Sequence, residues 1–314
     1  MRVVWLISLL ISTGLALLSL PQYLRDAQQR RWAAWFLAFL AIGNGLWLSQ
    51  PWPIWSRIIA IWVPTYLAFK GWRLLYSPHS QTKQLGFWRS LGFIFWLGMQ
   101  LEPWLLPRQP DLAWRKNVAH GALWLGFGGV IGLIAWFWPT PTVGLWLLWR
   151  SWLALVGVVI SLFFGITRLY LAIWQAFGWQ MQPLFLAPIY ARSVSEWWGK
   201  RWNMAVHEVL SVVVWQPLKP IIGSRWAAAM VFIVSGFLHE LLLSYPAAGG
   251  WGWPTGYFVV QIAATSLERQ RSLRFWLRRS PYRQSIWTLS WTIIPAPLLF
   301  RPELVLGLFG AYLP

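Results

Sequence analysis

The chain has no cysteine among its 314 residues. That excludes disulfides, cysteine nucleophiles, thiolate metal sites and S-acylation, and leaves the redox compartment open. Charge is scarce as well: 11% of the residues are charged, where a soluble domain carries about 25%. Only 8 residues are acidic, against 26 Lys and Arg. There are 4 histidines, none at His-x-x-His, His-x-x-x-His or His-Glu-x-x-His spacing. A metal-dependent membrane oxidase or hydrolase needs several ligands at such spacings, so no metal site is expected. No polar stretch is long enough for a separate soluble domain. No internal repeat stands out either, which weighs against a transporter built from inverted halves, with Glu240 and Glu268 on its path.

What is present is apolar. Hydrophobic residues make up 58% of the chain and the mean hydropathy is +0.50. The expected fold is all-α: a polytopic membrane protein forming a single integral membrane domain over 1–314. About eight spans are predicted, at 3–20, 32–49, 54–69, 117–138, 143–167, 226–245, 254–267 and 285–300. The first lacks a clear small-x-small cleavage site and is read as a retained span, not a signal peptide. Two connections are too apolar to be plain loops. Residues 86–106 are Trp-rich and predict a re-entrant or interfacial helix. Residues 204–216 predict a half-buried helix stopped by Pro217 and Pro220.

The net charge of +18 would suit a nucleic-acid partner if it were clustered in a soluble domain. Here it follows the spans. The connections at 21–31, 70–116, 168–225 and 268–284 hold 22 of the 26 basic residues, and the opposite side receives only Arg2, Arg57, Arg150 and Arg301. The positive-inside rule then puts the N-terminus on the non-cytoplasmic side, with membrane lipids as surroundings and no nucleic acid as partner. Most of the 30 tryptophans lie near span ends, Trp32, Trp52, Trp138, Trp251 and Trp253 among them, as interfacial anchors do.

Two short segments break the apolar pattern. His239 and Glu240 lie inside the run from Trp226 to Tyr245, where ionisable groups are costly and usually face a cavity or a partner. Ser235 stands one turn before His239, Glu240 points about 100° away, and Gly236 leaves room for a neighbouring helix. Upstream, Ser193 and Glu196 match a capping box. A helix starting there places Glu196, Lys200 and Asn203 on one stripe, with Trp198 and Trp202 beside it. A neutral imidazole in an apolar setting can take a proton from an alcohol as it attacks an acyl carbonyl, and an amide such as Asn203 can donate to the developing oxyanion. The plainer account of His239 is a helix–helix hydrogen bond. Glu240 is expected to be a structural partner to an arginine or a backbone amide. His207 with Glu208 and His120 read as interfacial polar groups, and His79 as a loop residue.

Together, Trp197-Trp198-Gly199-Lys200-Arg201-Trp202-Asn203 and Ser235-Gly236-Phe237-Leu238-His239-Glu240 resemble the paired motifs of the wax synthase branch of the membrane-bound O-acyltransferases. Order and spacing agree, Pro217 falls where that family tends to have a proline, and the resemblance covers roughly 185–270. It implies a multi-helix membrane fold with His239 as catalytic base and Asn203 as second active-site residue. The implied substrate contacts are Trp198, Lys200, Arg201, Trp202, Ser235 and Glu240. The reaction it implies moves a fatty acyl group from acyl-CoA, a co-substrate with no cofactor beside it, to a lipid alcohol acceptor. Lys200 departs from the family's usual arginine, keeping the charge but losing the planar fork. On the side where the positive-inside count places the basic connections, Lys200, Arg201 and the six arginines between 269 and 283 are candidates for the CoA phosphates, with anionic lipid headgroups the alternative for the six. An acyltransferase-like protein without activity keeps the same motifs and stays open.

Overall fold

The computed structural model describes Thr13 and residues 24–49, 52–110, 112–139 and 144–313. The predicted span 3–20 therefore lies outside the described residues, apart from Thr13. Among the described residues there is no strand; the fold is all-α. The helices are α1 (Ala27–Ser49), α2 (Ile54–Tyr76), α3 (His79–Phe95), α4 (Glu102–Leu105), α5 (Ala113–Phe137), α6 (Gly144–Ile160), α7 (Thr167–Ala176) and α8 (Val194–Glu196). They continue with α9 (Met204–Leu210), α10 (Gln216–His239), α11 (Tyr245–Ala247), α12 (Trp253–Leu267), α13 (Arg271–Arg278), α14 (Pro281–Ile293), α15 (Ala296–Leu299) and α16 (Pro302–Val305).

Among the described residues, three helical runs are long and apolar enough to cross a membrane: Ala113–Phe137, Gly144–Ala176 and Met204–Ala247. The pair Pro281–Leu299 and Pro302–Gly310, bent by 69°, makes a fourth if it is one span. Eight spans are not reached on this criterion. The predicted span 54–69 is helical but carries Lys70 and Arg73 near its end, and 254–267 is a helix of 15 residues. Apolar side chains cover the outside of α5, where Leu123, Phe127, Val130 and Leu133 are exposed. A contiguous apolar surface of this kind needs lipid around it.

The chain divides into two compact units: residues 1–107 with 205–234, and residues 108–204 with 235–314. In the first, α1 packs on α2. The stretch predicted as one helix over 86–106 is instead broken at Gly86, whose φ of 62° is left-handed, and runs without helix from Trp96 to Leu101. Its middle is buried, with Phe93, Trp96, Met99, Leu101 and Trp104 having almost no exposed surface, while Phe87, Trp88, Phe95 and Leu106 are exposed. Its carbonyls are satisfied by side chains of α2. Tyr66 donates to the carbonyls of Ile94 and Trp96, Lys70 to Gly98 at 2.5 Å, and Arg73 to Met99 at 3.1 Å. Irregular backbone inside a membrane protein is tolerated where such partners replace water. His79, expected in a loop, is the first residue of α3 and meets buried Arg30 at 3.1 Å.

Pro217 and Pro220 do not stop the helix after 204–216. A π-turn, Ser211–Trp215, leads straight into α10, and the break comes at Gly223, with φ 78° and ψ 159°. Winding in a π-turn already disturbs the i→i−4 ladder, so a proline without an N–H costs less just beyond it.

In the second unit α5, α6 and α7 pack through glycines. A β-carbon on Gly128 would stand 2.6 Å from the Gly157 carbonyl oxygen, and one on Gly165 2.9 Å from Leu125 Cα. Polar groups tie the next loop to this group of helices. Asn117 donates to Gln175 (2.7 Å) and accepts from Arg168 (2.7 Å). Arg168 also donates to the Phe185 carbonyl, and Gln175 to that of Met181. That loop delivers the chain to α8.

Candidate active site

The upstream motif begins as expected, with Ser193 Oγ accepting the Glu196 N–H at 2.9 Å. The glutamate reaches back one residue further than a capping box requires, to the Arg192 N–H at 2.9 Å. The stripe of Glu196, Lys200 and Asn203 does not form. After α8 the backbone widens into a π-turn, Trp197–Arg201, closed by the Trp202 N–H on the Trp197 carbonyl at 2.8 Å. The helix ends there, and Asn203 stands outside it with a φ of 44°. Asparagine tolerates this left-handed conformation better than most side chains. The bend is held on both sides, by Leu186 N–H on the Arg201 carbonyl and Met204 N–H on the Leu184 carbonyl. Aromatic rings fill it: Trp202 stacks on Trp197 with centroids 5.3 Å apart and meets Phe185 edge-on at 5.2 Å.

The two basic residues of the motif differ. Arg201 is committed, with Nε 2.6 Å from Glu196 and Nη1 2.9 Å from the Leu186 carbonyl. Burial alone would raise the Glu196 carboxyl, but hydrogen bonds from the Arg192 N–H and the Arg201 guanidinium hold it below its ordinary value. Lys200 is exposed.

His239 ends α10, and a second π-turn, Glu240–Ser244, follows at once. The imidazole Nδ1 lies 2.7 Å from the Ser235 carbonyl. A carbonyl can only accept, so Nδ1 carries the proton and Nε2 of the neutral ring carries the lone pair. Ser235 is buried and acts here through its backbone. Gly236 gives the close approach its sequence suggested: a β-carbon there would stand 2.9 Å from Thr255 Cα on α12.

Glu240 is buried and caps α12. Its Oε1 accepts the N–H groups of Gly252 (3.1 Å) and Thr255 (3.0 Å) and the Thr255 hydroxyl (2.8 Å). The backbone-amide role expected for it is the one observed. Glu268, at the other end of α12, does the same for α8, accepting from Val194 N–H at 2.6 Å and from the Trp287 indole at 3.0 Å. Both carboxylates sit at helix starts, where the backbone dipole favours a negative charge.

Helix α12 joins the two motifs. Phe258 packs on the His239 ring with centroids 4.8 Å apart and on Trp198 at 5.6 Å. Trp198 in turn meets Trp202, the neighbour of Asn203, at 6.4 Å. The Trp198 indole N–H donates to fully buried Gln261 at 3.1 Å, and Gln261 donates to the Trp291 carbonyl at 2.8 Å. Motif reading missed Phe258, Gln261 and Glu268. The only sequence signals were a glutamine on an apolar helix and a glutamate at its end. His120 is exposed on α5, and His207 and Glu208 belong to α9, in the other unit.

An apolar helical fold with a tautomer-fixed histidine, joined through one helix to a tryptophan- and asparagine-bearing bend, defines a class of membrane protein, and the comparisons agree on it. Residues 181–260 match the membrane bound O-acyl transferase family. The long-chain-alcohol O-fatty-acyltransferase of Simmondsia chinensis is 32% identical over 142 residues, 41% of this chain and 40% of that protein. The probable long-chain-alcohol O-fatty-acyltransferase 1 of Arabidopsis thaliana is 35% identical over 115 residues, 34% of this chain and 33% of that protein. The acyl-CoA–sterol O-acyltransferase 1 of Arabidopsis thaliana is 28% identical over 134 residues, 40% of this chain and 39% of that protein. The aligned stretch thus spans less than half the length of these relatives. The chain is similar to the wax synthase branch of the membrane-bound O-acyltransferases, and the likeness rests on its motif-bearing core.

Proposed function

We propose that the chain is a membrane O-acyltransferase that moves a fatty acyl group from acyl-CoA to the hydroxyl of a long-chain alcohol or related lipid. The observation that carries this reading is the Nδ1 contact of His239 with the Ser235 carbonyl, which leaves Nε2 as the base. In the proposed reaction Nε2 takes the hydroxyl proton of the acceptor. The oxygen attacks the thioester carbonyl, a C–O bond forms, the C–S bond breaks, and the proton passes from His239 to the departing CoA sulfur. The Asn203 amide donates to the oxyanion.

Trp198 and Trp202 line the path of the acyl chain, and Ser235 and Glu240 hold the walls around His239. Lys200, the exposed member of the basic pair, meets the CoA phosphates, and Arg201 adds charge from a fixed position. CoA arrives from the side on which the basic connections collect, and the N-terminus lies on the opposite side.

The test is ester formation by the purified protein with labelled palmitoyl-CoA and a panel of fatty alcohols, diacylglycerol, sterols and phytol. Wild type is expected to form an ester, and His239→Ala none, with an unchanged melting temperature. Full activity in His239→Ala refutes the mechanism. No ester from folded wild type with any acceptor refutes the reaction and favours a non-catalytic relative.

A further inference from the structure

Helix α13 and the residues around it carry the densest run of basic residues in the sequence. Arg269, Arg271, Arg274, Arg278, Arg279 and Arg283 fall within fifteen positions. No acidic residue lies between Glu268 and Glu303, and Glu268 is buried and occupied by Val194 and Trp287. None of the six arginines belongs to an ion pair among the described residues, and all but Arg283 are exposed.

The arrangement is two-sided. At about 100° per residue, Arg271, Arg274 and Arg278 share one face of the helix, and Leu273 and Leu277 lie on a stripe about 110° round from it. Leu277 is buried and anchors the helix. Phe275, which falls on the arginine side, is 64% exposed, and its neighbour Trp276 is 47% exposed. Large exposed rings amid exposed cations have no use in water. At a lipid interface the rings enter the headgroup boundary while the cations meet phosphate. Two arginines are already posed for this. Arg279 lies over the Phe275 ring at 4.7 Å and Arg283 over Trp276 at 4.9 Å. Stacking uses the face of a guanidinium and leaves edge N–H groups for phosphate, though on Arg283 Nη1 also reaches the Trp276 carbonyl at 3.5 Å.

We propose that α13 is an in-plane docking surface for anionic phospholipid headgroups, separate from the acyl-transfer site. Its partner is the phosphodiester of a lipid such as phosphatidylglycerol. Because lipid and arginine pair through phosphate, the surface holds the connection between α12 and α14 at the membrane face.

The full-length protein in mild detergent is titrated with phosphatidylglycerol and phosphatidylcholine, each carrying a fluorophore on one acyl chain, and binding is read by anisotropy. Wild type is expected to prefer phosphatidylglycerol by tenfold or more, from roughly fivefold per arginine at a membrane surface, and the preference shrinks in high salt. The variant R271Q/R274Q/R278Q/R279Q loses the preference, and the matching Arg→Lys variant keeps most of it. Hydrogen exchange on wild type is expected to show 269–283 protected by phosphatidylglycerol and not by phosphatidylcholine. Equal binding of both lipids overturns the proposal, as does a preference that survives in the Gln variant or an absence of protection at 269–283. Displacement of the labelled lipid by free CoA also overturns it, assigning these arginines to the co-substrate.

Discussion

Replacing Glu268 by leucine removes a side chain that no motif contains and that nonetheless holds the upstream motif in place. Its carboxylate accepts from the Val194 N–H at 2.6 Å and the Trp287 indole at 3.0 Å, with weaker contacts to the Ser195 N–H and hydroxyl at 3.3 and 3.4 Å. A hydrogen bond to a charged group contributes about 1.5–3 kcal/mol, and an unsatisfied buried donor costs about 1–3 kcal/mol. Ser195 is exposed and can turn to water, so the loss comes mainly from Val194 and Trp287, about 3 kcal/mol in all. That corresponds to a fall in melting temperature on the order of 5 °C. Its effect on turnover is larger than a stability loss alone gives, because α8 sets the position of Trp198 and the bend at Asn203. A displacement of about 1 Å in a positioning element costs about 100-fold in rate. Glu268→Gln keeps one acceptor oxygen and should fall between. The assay is ester formation by protein reconstituted in nanodiscs, alongside a thermal unfolding curve. A Glu268→Leu protein that melts and turns over like wild type refutes the reasoning from cap to site.

Asn203 is separable into backbone and amide. Asn203→Ala and Asn203→Gly both remove the amide, and glycine also relieves the positive φ; turnover should fall about 100-fold or more in both, and wild-type turnover in the glycine variant would show that only the backbone matters. At Gly236 a valine drives its side chain into Thr255 on α12, so folded yield and activity should drop together, and normal yield with normal activity would contradict the packing. The depressed Glu196 carboxyl gives a pH signature. A folded pKa below the ordinary 4.5 contributes stability that is present above that value and lost as pH falls through the folded one. Its contribution to melting temperature should therefore be flat from pH 6 to 8 and decline below about pH 4.5, and Glu196→Gln should flatten that acid limb. An acid limb unchanged in Glu196→Gln would show that the pair contributes nothing.

Composition and hydropathy were enough to read an all-α membrane protein, because lipid admits few alternatives to a helix for a single apolar chain. The paired motifs pointed to His239 and its neighbours for a chemical reason: an imidazole and a carboxylate are too costly in an apolar run to be there without partners. Periodicity failed where helices are not α throughout. The stripe of Glu196, Lys200 and Asn203 assumed 3.6 residues per turn across Trp197–Arg201, where the backbone takes a π-turn, and no residue type announces that change. Pro217 misled for a related reason, since a π-turn precedes it and Gly223 carries the break. The irregular turn at 96–101 was hidden because its partners, Tyr66, Lys70 and Arg73, look like ordinary polar residues at the end of a helix. Phe258 was illegible as a site residue because an apolar helix contains many rings, and only packing selects the one between His239 and Trp198.

The contacts of α2 carry a consequence for the order of events during synthesis. Lys70 and Arg73 lie in the last two turns of α2, and each raises the cost of entering lipid, by less than the about 2.5–3.5 kcal/mol that translocon-insertion scales give at a helix centre. The carbonyls that receive them, at Gly98 and Met99, lie 28 and 26 positions downstream. When α2 first leaves the ribosome those acceptors are still enclosed in the exit tunnel. The helix therefore settles only after the segment through Leu101 has followed it, and the two are expected to assemble as one co-translational unit. A ribosome stalled with 98–101 still in its exit tunnel should leave α2 open to extraction, and a ribosome stalled far enough downstream for residue 107 to have emerged should not.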